Sequence, residues 1–360
     1  ENLRELSIET QVQVITQLAI AYNNGNEQPK AVTLLKETLR KAEDSNLRHL
    51  SGSIDIALAR VYRKLNEFPI SRDYAQKALV HFRENGNWLG MAEAYREIAN
   101  SYHQEGNSKR AVDNFELGIK IIGGNDAPFM LGKLYTDMSG AYWFLRQPKD
   151  GIACLEKSIK FFDQTEHALN TVIAYNNLGI NLMLIGELTK AEVMIERALE
   201  IATIRDHVHI AGIYDSLGEL NIIRGNLDLA EQFLDKAVAF AEKRNHQWYR
   251  AQSMRNLARC YLAQGKEKKA ISKAIETISL SAAIGDRHYA KMAGLVLAES
   301  YLRRGEIEEC ENSLAVIEAD DPSTDFFVLG NIQRIRGLAL LEQDDRELAI
   351  HHFSRSLTIF

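Results

Sequence analysis

The sequence of 360 residues has few cysteines, few prolines and no long apolar run. Its cysteines, Cys154, Cys260 and Cys310, lie far apart without a Cys-x-x-Cys pair, which argues against a disulfide framework or a zinc knuckle and favours a reducing compartment. No segment approaches about 18 apolar residues without charges, so we predict a cytoplasmic protein with no membrane span. Only 5 prolines and a hydrophobic share of 46% rich in alanine favour helices.

An excess of basic residues is also missing. The net charge is −6, whereas a protein that neutralises phosphates needs lysine and arginine in excess, at least locally. We therefore expect no direct contact between this segment and nucleic acid. The motifs of phosphate-binding loops, nucleophile elbows, zinc proteases and dinucleotide-binding folds are absent as well.

Histidines offer two weak candidates for a metal site. Asp206, His207 and His209 form one group, and the neighbours His351 and His352 form the other. Residues one or two positions apart on a helix point in different directions, and no third ligand has a spacing that joins either group. We predict no metal site, no cofactor and no enzymatic activity.

An internal repeat of about 40 residues organises the whole chain. We call its reference position the first column, and it is aliphatic in every repeat except the last. The first column is Leu18, Leu58, Ile98, Met138, Leu178, Leu217, Leu257, Leu297 and Arg336. Nine repeats of one spacing predict a stack of nine similar units.

Two further columns contain only small residues. One follows the first column directly, and the other lies thirteen residues after it. They are Ala19, Ala59, Ala99, Ser139, Gly179, Gly218, Ala258, Ala298 and Gly337, and Ala31, Ser71, Ala111, Gly151, Ala191, Ala230, Ala270, Cys310 and Ala349. Small side chains allow two helices to pack closely at their crossing point.

Each repeat is predicted to be a pair of antiparallel helices. Apolar residues recur at spacings of three and four, and a turn with glycine separates two such runs, as at Gly106, Gly186 and Gly225. An aromatic column three residues before the first column includes Tyr95, Tyr135, Tyr175 and Tyr214. The pattern predicts first helices near residues 89–104, 129–145 and 169–185, and second helices near residues 108–121, 148–162 and 188–203.

The aliphatic–small pair, the tyrosine four residues after the first column (as at Tyr102), the Gly-Asn turn and the later alanine together resemble the tetratricopeptide repeat. That family usually has 34 residues per repeat. The resemblance implies an all-α, right-handed α-solenoid superhelix of about nine helix-turn-helix units in one domain, 1–360, within a longer chain. The repeats lie near residues 8–43, 48–83, 88–122, 128–163, 168–203, 207–243, 247–284, 287–319 and 325–360.

Ligand specificity in such a stack comes from first-helix residues that point away from the core. We expect the positions two before, two after and five after the first column to face a concave surface. The candidate binding residues are Arg60, Arg63, Arg96, Asn100, His103, Trp143, Asn176, Met183, Glu219, Arg255 and Arg259. Arginine and amide side chains there predict an extended peptide or protein segment, acidic in character, as the partner.

Extended repeats of this kind look like those of quorum-sensing peptide receptors, multidomain bacterial regulators, cell-polarity scaffolds and kinesin light chains. The resemblance implies a non-catalytic binding module, the sensor or scaffold part of a larger regulator of signalling or transcription. Two alternatives remain open: a self-assembly scaffold, and a regulatory part of a phosphatase-like signalling protein. An apolar stripe, Ile350, Phe353, Leu357 and Phe360, predicts at most a weak association of copies through the C-terminal end.

Overall fold

The computed structural model describes residues 6–25, 27–165, 168–204, 209–320 and 325–360. Within these ranges the secondary structure is helical, with no strand. The chain divides into two compact units, Glu1–Ala174 and Tyr175–Phe360, and the division falls within α9 (Ala168–Leu184). The helices before α9 are α1 (Ile8–Asn24), α2 (Gln28–Asp44), α3 (Arg48–Lys64), α4 (Phe68–Glu84), α5 (Trp88–Gln104), α6 (Ser108–Ile122), α7 (Pro128–Phe144) and α8 (Pro148–Phe162).

The second unit continues the alternation of first and second helices. Its first helices after α9 are the odd-numbered ones, and each is followed by a second helix. The helices that follow α9 are α10 (Leu188–Ile204), α11 (Ile210–Arg224), α12 (Leu227–Lys243), α13 (Gln247–Ala263), α14 (Glu267–Ala283), α15 (Arg287–Arg303), α16 (Ile307–Asp320), α17 (Phe326–Glu342) and α18 (Arg346–Ile359). The described residues thus form the nine helix pairs that the sequence predicts, and the six predicted helices agree with α5 to α10 within one residue at each end.

Turn residues end the first helices where the sequence predicts it. Gly106, Gly186 and Gly225 have φ values of 92°, 80° and 80°, a left-handed conformation that glycine adopts without a steric cost. Asn66 and Arg146 take the same conformation in turns that lack glycine, with φ values of 62° and 58°. The repeat therefore maintains the turn geometry even where its usual residue is absent.

The small-residue columns are buried in every repeat. A Cβ atom added to Gly179 would lie 2.3 Å from Ile195 Cγ1, and one added to Gly218 would lie 2.5 Å from Leu234 Cγ. These distances are far below van der Waals contact. First and second helices of these repeats therefore cross at a separation that only a small residue permits, as predicted.

First helices also pack side by side. In the first unit α1 contacts α3, α3 contacts α5 and α5 contacts α7, and in the second unit α11, α13, α15 and α17 contact one another in the same order. Each unit thus contains a layer of first helices, and the side chains that point away from the second helices form its outer surface. The single continuous domain remains a prediction.

The repeats at the two ends deviate from the pattern. Leu18 in the first column is 45% exposed, whereas its equivalent Leu58 is fully buried. Arg336 occupies the first column of the last repeat and pairs with Glu318 through both of its terminal nitrogens, each 2.8 Å from a carboxylate oxygen. An arginine is accommodated there because carboxylates of α16 neutralise it.

Candidate binding surfaces on the first helices

The first unit carries a network of charges on α3, α5 and α7, which we call the charged surface. Four cations and three carboxylates meet there, with one amide and one histidine beside them. The members are Arg60, Arg63, Glu93, Arg96, Glu97, Asn100, His103, Lys133 and Asp137. Five of these were predicted from the sequence as binding residues.

Glu97 of α5 lies at the centre of the charged surface. Its Oε1 accepts a hydrogen bond from Arg60 Nε at 2.8 Å, and its Oε2 lies 3.4 Å from Arg63 Nε. Arg60 also pairs with Glu93. Burial alone would raise the pKa of Glu97, which is only 1% exposed, but Arg60, Arg63 and Arg96 lower it to about 2. Glu97 is therefore ionised and holds three guanidinium groups together.

Arg96 links α5 to α7. Its Nε lies 2.7 Å from Asp137 Oδ2, and its Nη1 lies 3.1 Å from Glu93 Oε1. Asn100 donates a hydrogen bond to Asp137 Oδ2 at 3.0 Å, and Lys133 Nζ lies 3.2 Å from Glu93 Oε2. The surface predicted as a basic strip is therefore of mixed charge, with one net positive charge among its seven ionised side chains.

Sequence reasoning missed the carboxylates of this surface because it considered only three columns. Glu97 and Asp137 lie one residue before the first column, and Glu93 and Lys133 lie five before it. These positions are three or four residues from the predicted ones and therefore share their face of the helix. A search of five columns rather than three would have found them.

His103 and Trp143 lie at the edge of the charged surface, and both are half-buried. The His103 ring packs edge-on against Phe144, with centroids 5.1 Å apart, and its Nδ1 lies 3.3 Å from Ser108 Oγ. Burial lowers the pKa of His103. A neutral imidazole beside the Phe144 ring offers an apolar contact rather than a charge.

The second unit carries a different network on α11 and α13, which we call the amide surface. It is defined by Asp215, Glu219, Gln252, Arg255, Asn256 and Arg259. Asp215 accepts hydrogen bonds from Gln252 Nε2 at 2.7 Å and from Asn256 Nδ2 at 3.0 Å. Arg259 donates to Glu219 at 2.6 Å and to Asn256 at 3.0 Å. Glu219, Arg255 and Arg259 were predicted as binding residues, whereas Asp215, Gln252 and Asn256 were not.

The pKa values of the two acids of the amide surface are shifted in opposite directions. Burial raises the pKa of Asp215 to about 6, although Arg255 and the two amide donors act against that shift. Burial would also raise the pKa of Glu219, but Arg259 and Arg255 outweigh it and lower the pKa. Glu219 is therefore the ionised partner of the arginines near pH 6, where Asp215 is only partly ionised.

Several polar atoms of these first helices have no hydrogen-bond partner among the described residues. They include Gln252 Oε1 and Arg255 Nε on the amide surface, and Asn176 Oδ1 and Asn181 Oδ1 on α9. An unpartnered buried polar atom costs about 1–3 kcal/mol. Met183, the remaining predicted residue on α9, is buried and lies beside Leu182 in the chain. Because these four atoms are buried, a partner can pair with them only if their side chains turn outward.

The candidate metal ligands do not form a cluster within the described residues. Among those residues no group of three or more histidine, cysteine and carboxylate side chains could hold a metal ion. His209 contacts the Tyr249 hydroxyl and His352 contacts Gln333, whereas Asp206 and His207 lie outside the described residues. The three cysteines are buried. No helix in the described ranges is long and apolar enough to cross a membrane.

Models of the tetratricopeptide repeat match three segments of the second half, residues 171–204, 209–281 and 292–315. The matched segments contain helix pairs of the 40-residue repeat described above. These segments of the chain are tetratricopeptide repeats. Across the described residues, the helix pairs with small residues at their crossings confirm the predicted all-α repeat.

Several tetratricopeptide-repeat proteins are similar to this chain. Response regulator aspartate phosphatase E of Bacillus subtilis is 28% identical over 101 residues, which are 28% of this chain and only 27% of the length of that relative. A Rap protein complexed with competence and sporulation factor has a TM-score of 0.67 at 18% identity, with 97% of each chain covered. The Rap conjugation gene regulator of plasmid pLS20, in complex with the Phr* peptide, has a TM-score of 0.65 at 16% identity and covers 97% of this chain and 94% of its own. Structural similarity at such identities shows the fold alone.

Proposed function

We propose that this protein is a non-catalytic module that binds an extended peptide or protein segment on the surface of its first helices. In this proposal it serves as the sensor or scaffold part of a larger regulatory protein. The observation that carries the proposal is the set of unpartnered polar atoms on α9 and α13, among them Asn176 Oδ1, Gln252 Oε1 and Arg255 Nε. Two structurally similar proteins were solved with a competence factor and with a peptide, which supports the same class of partner here.

Amide side chains suit the main chain of an extended peptide. An asparagine or glutamine presents one acceptor and two donor hydrogens, and an extended peptide presents a donor and an acceptor at each residue. Asn176, Asn181 and Gln252 each have an unpartnered carbonyl oxygen. A peptide N–H that donates to such an oxygen satisfies two polar groups at once, so binding recovers the cost of their burial.

Charge contributes less to this binding than the sequence suggests. Arg60, Arg63 and Arg96 are already paired with Glu93, Glu97 or Asp137. An acidic residue of a partner must compete with these carboxylates, and the net gain from exchanging one ion pair for another is small. We propose that acidic character of the peptide adds to the affinity but does not determine it.

Affinity measurements on single variants test this proposal. A library of random peptides displayed on phage supplies a binding sequence, whose synthetic form is then titrated by fluorescence anisotropy. Asn176→Ala and Arg255→Ala are each expected to weaken binding about tenfold, because each removes a polar group that the peptide pairs. Gln232→Ala, at an exposed amide on the second helix α12, is the matched control and should bind as the wild type does. Equal affinity of all four proteins would contradict the proposal.

Self-association is a second candidate role, favoured by the apolar surface of α18. Leu357 is 78% exposed and Ile350 is 64% exposed, although apolar side chains of this size usually lie in a core. Phe360 is partly covered because its ring packs edge-on against Phe327. Leu357, Phe360 and Ile350 of the predicted stripe thus form an exposed apolar surface.

A further inference from the structure

A cleft of about 570 Å³ lies between the second helices α14 and α16, with α15 as its floor. Leu295 and Glu299 of α15, which occupy the predicted binding columns, do not line it. Fourteen residues line it. They include Ser281, Ala282, Arg287, Gly294, Val316 and Ile317.

The cleft exists because this repeat departs from the aromatic column. Tyr95, Tyr135, Tyr175 and Tyr214 occupy the position three residues before the first column, and Gly294 replaces the tyrosine here. The ring that lies in this gap in repeats three to six is therefore missing. The gap between α6 and α8, by comparison, contains the Tyr135 ring and measures about 330 Å³.

The partner of the missing ring is altered in the same repeat. In the repeats that contain Tyr175 and Tyr214, one position of the second helix holds a small residue, Ala198 or Ala237. In the repeat that contains Gly294, Ile317 occupies the equivalent position. A Cβ added to Gly294 would lie 3.0 Å from Ile317 Cδ1. The isoleucine occupies only part of the space that a tyrosine ring needs, so an apolar cleft remains.

Rings in the equivalent positions show what the gap accepts. Tyr135 stacks on Phe161 with centroids 5.8 Å apart, and Tyr214 stacks on Phe233 with centroids 6.2 Å apart. The walls of this type of gap are thus compatible with a flat aromatic group. A cavity of about 150 Å³ already binds benzene, so the cleft at Gly294 has room for a bicyclic ring with a short chain.

Two polar features of the cleft point to a bound anion. Ser281 is fully buried, and its hydroxyl has no hydrogen-bond partner among the described residues, so it can donate to a ligand oxygen. Arg287 is exposed at the rim. The nearby Asp286 carboxylate accepts the Tyr289 N–H as the helix cap, and Lys291, which also lines the cleft, adds a second positive charge.

We propose that the cleft at Gly294 binds a small molecule with an aromatic ring and one carboxylate. The ring occupies the space that a tyrosine fills in repeats three to six. The carboxylate lies against Arg287 and accepts a hydrogen bond from Ser281. This site is separate from the peptide-binding surface of the first helices and does not depend on the function proposed for it.

Three probes separate the features of the ligand in calorimetric titrations of the full chain. They are 2-naphthylacetate, its uncharged amide, and octanoate, which has a carboxylate but no ring. We expect 2-naphthylacetate to bind about tenfold more tightly than either of the others. No binding of 2-naphthylacetate would overturn the site, and equal binding of octanoate would overturn its aromatic character.

Variants locate the binding. The double change Gly294→Tyr with Ile317→Ala restores the tyrosine–alanine pattern of the other repeats, so it should abolish binding while the helix content stays unchanged. If that protein does not fold, Ala282→Phe fills the cleft from an exposed position on α14 and should have the same effect. Arg287→Gln should weaken the binding of 2-naphthylacetate about tenfold and leave the binding of the amide unchanged. Arg304→Gln, outside the cleft, is the matched control and should bind both probes as the wild type does. Undiminished binding by the filled variants would contradict the proposal.

Discussion

Side chains of the first helices act as pairs rather than as single groups. The sequence places Arg60, Arg63 and Arg96 on one face, but it does not show that Glu97 holds all three. That arrangement depends on which rows of neighbouring helices face each other, and packing determines those rows. For this reason the positions of the arginines on this surface were predicted correctly, whereas the carboxylates that give the surface its mixed charge were not.

The buried carboxyl group of Asp55 is expected to make the stability of the protein depend on pH. It is almost fully buried at the aromatic-column position of α3, with its Oδ2 3.6 Å from His81 Nε2 and its Oδ1 without a hydrogen-bond partner among the described residues. Burial raises its pKa to about 7, from about 3.9 in an unfolded chain. The unfolded state therefore releases the proton at a lower pH, and this residue lowers the free energy of unfolding as the pH rises from about 4 to about 7.

The Asp55→Asn variant should lack this loss of stability. Its urea midpoint should exceed that of the wild type by more at pH 8 than at pH 5, because an amide pays no cost of burying a charge. Asp73→Asn, at a side chain that is 60% exposed, is the control and should keep the pH dependence of the wild type. The same difference between pH 5 and pH 8 in wild type and Asp55→Asn would show that Asp55 is not responsible.

Helices and turns followed closely from the sequence because one pattern is repeated nine times. The bounds of α5 to α10 agree with prediction within one residue, since small columns, apolar spacing and turn glycines all give the same frame. Leu18 departs from the frame in burial, because it is 45% exposed whereas the equivalent Leu58 is fully buried. The cleft at Gly294 was also missed, because its cause is a substitution in two columns at once.

Ala191→Leu tests the helix crossing in α10. Ala191 is fully buried, and its carbonyl oxygen would lie 3.0 Å from a Cβ on Gly179. The larger side chain should lower the free energy of unfolding by about 1–3 kcal/mol through overpacking. Val193→Leu, at a position of the same helix that is 53% exposed, should leave the melting temperature nearly unchanged. Equal melting of the two variants would count against the assigned frame.

Association of whole molecules is expected to be weak and to depend on α18. Leu357→Glu places a charge on its exposed apolar stripe and should abolish any concentration dependence of the sedimentation coefficient. Val80→Glu changes a half-exposed valine on α4 and should leave that dependence as in the wild type. A sedimentation coefficient independent of concentration in the wild type, or association that survives Leu357→Glu, would remove this role.

Hydrogen–deuterium exchange of the full chain with a selected binding peptide tests most directly where the partner lies. If the peptide pairs with the polar atoms of the first helices, protection on binding should appear in the peptic fragments that contain α9, α11 and α13. Fragments from the second helices α10, α12 and α14 should exchange as they do in the free protein, because their backbone faces away from the bound peptide. Protection concentrated in those second helices, with α9, α11 and α13 unchanged, would contradict the account.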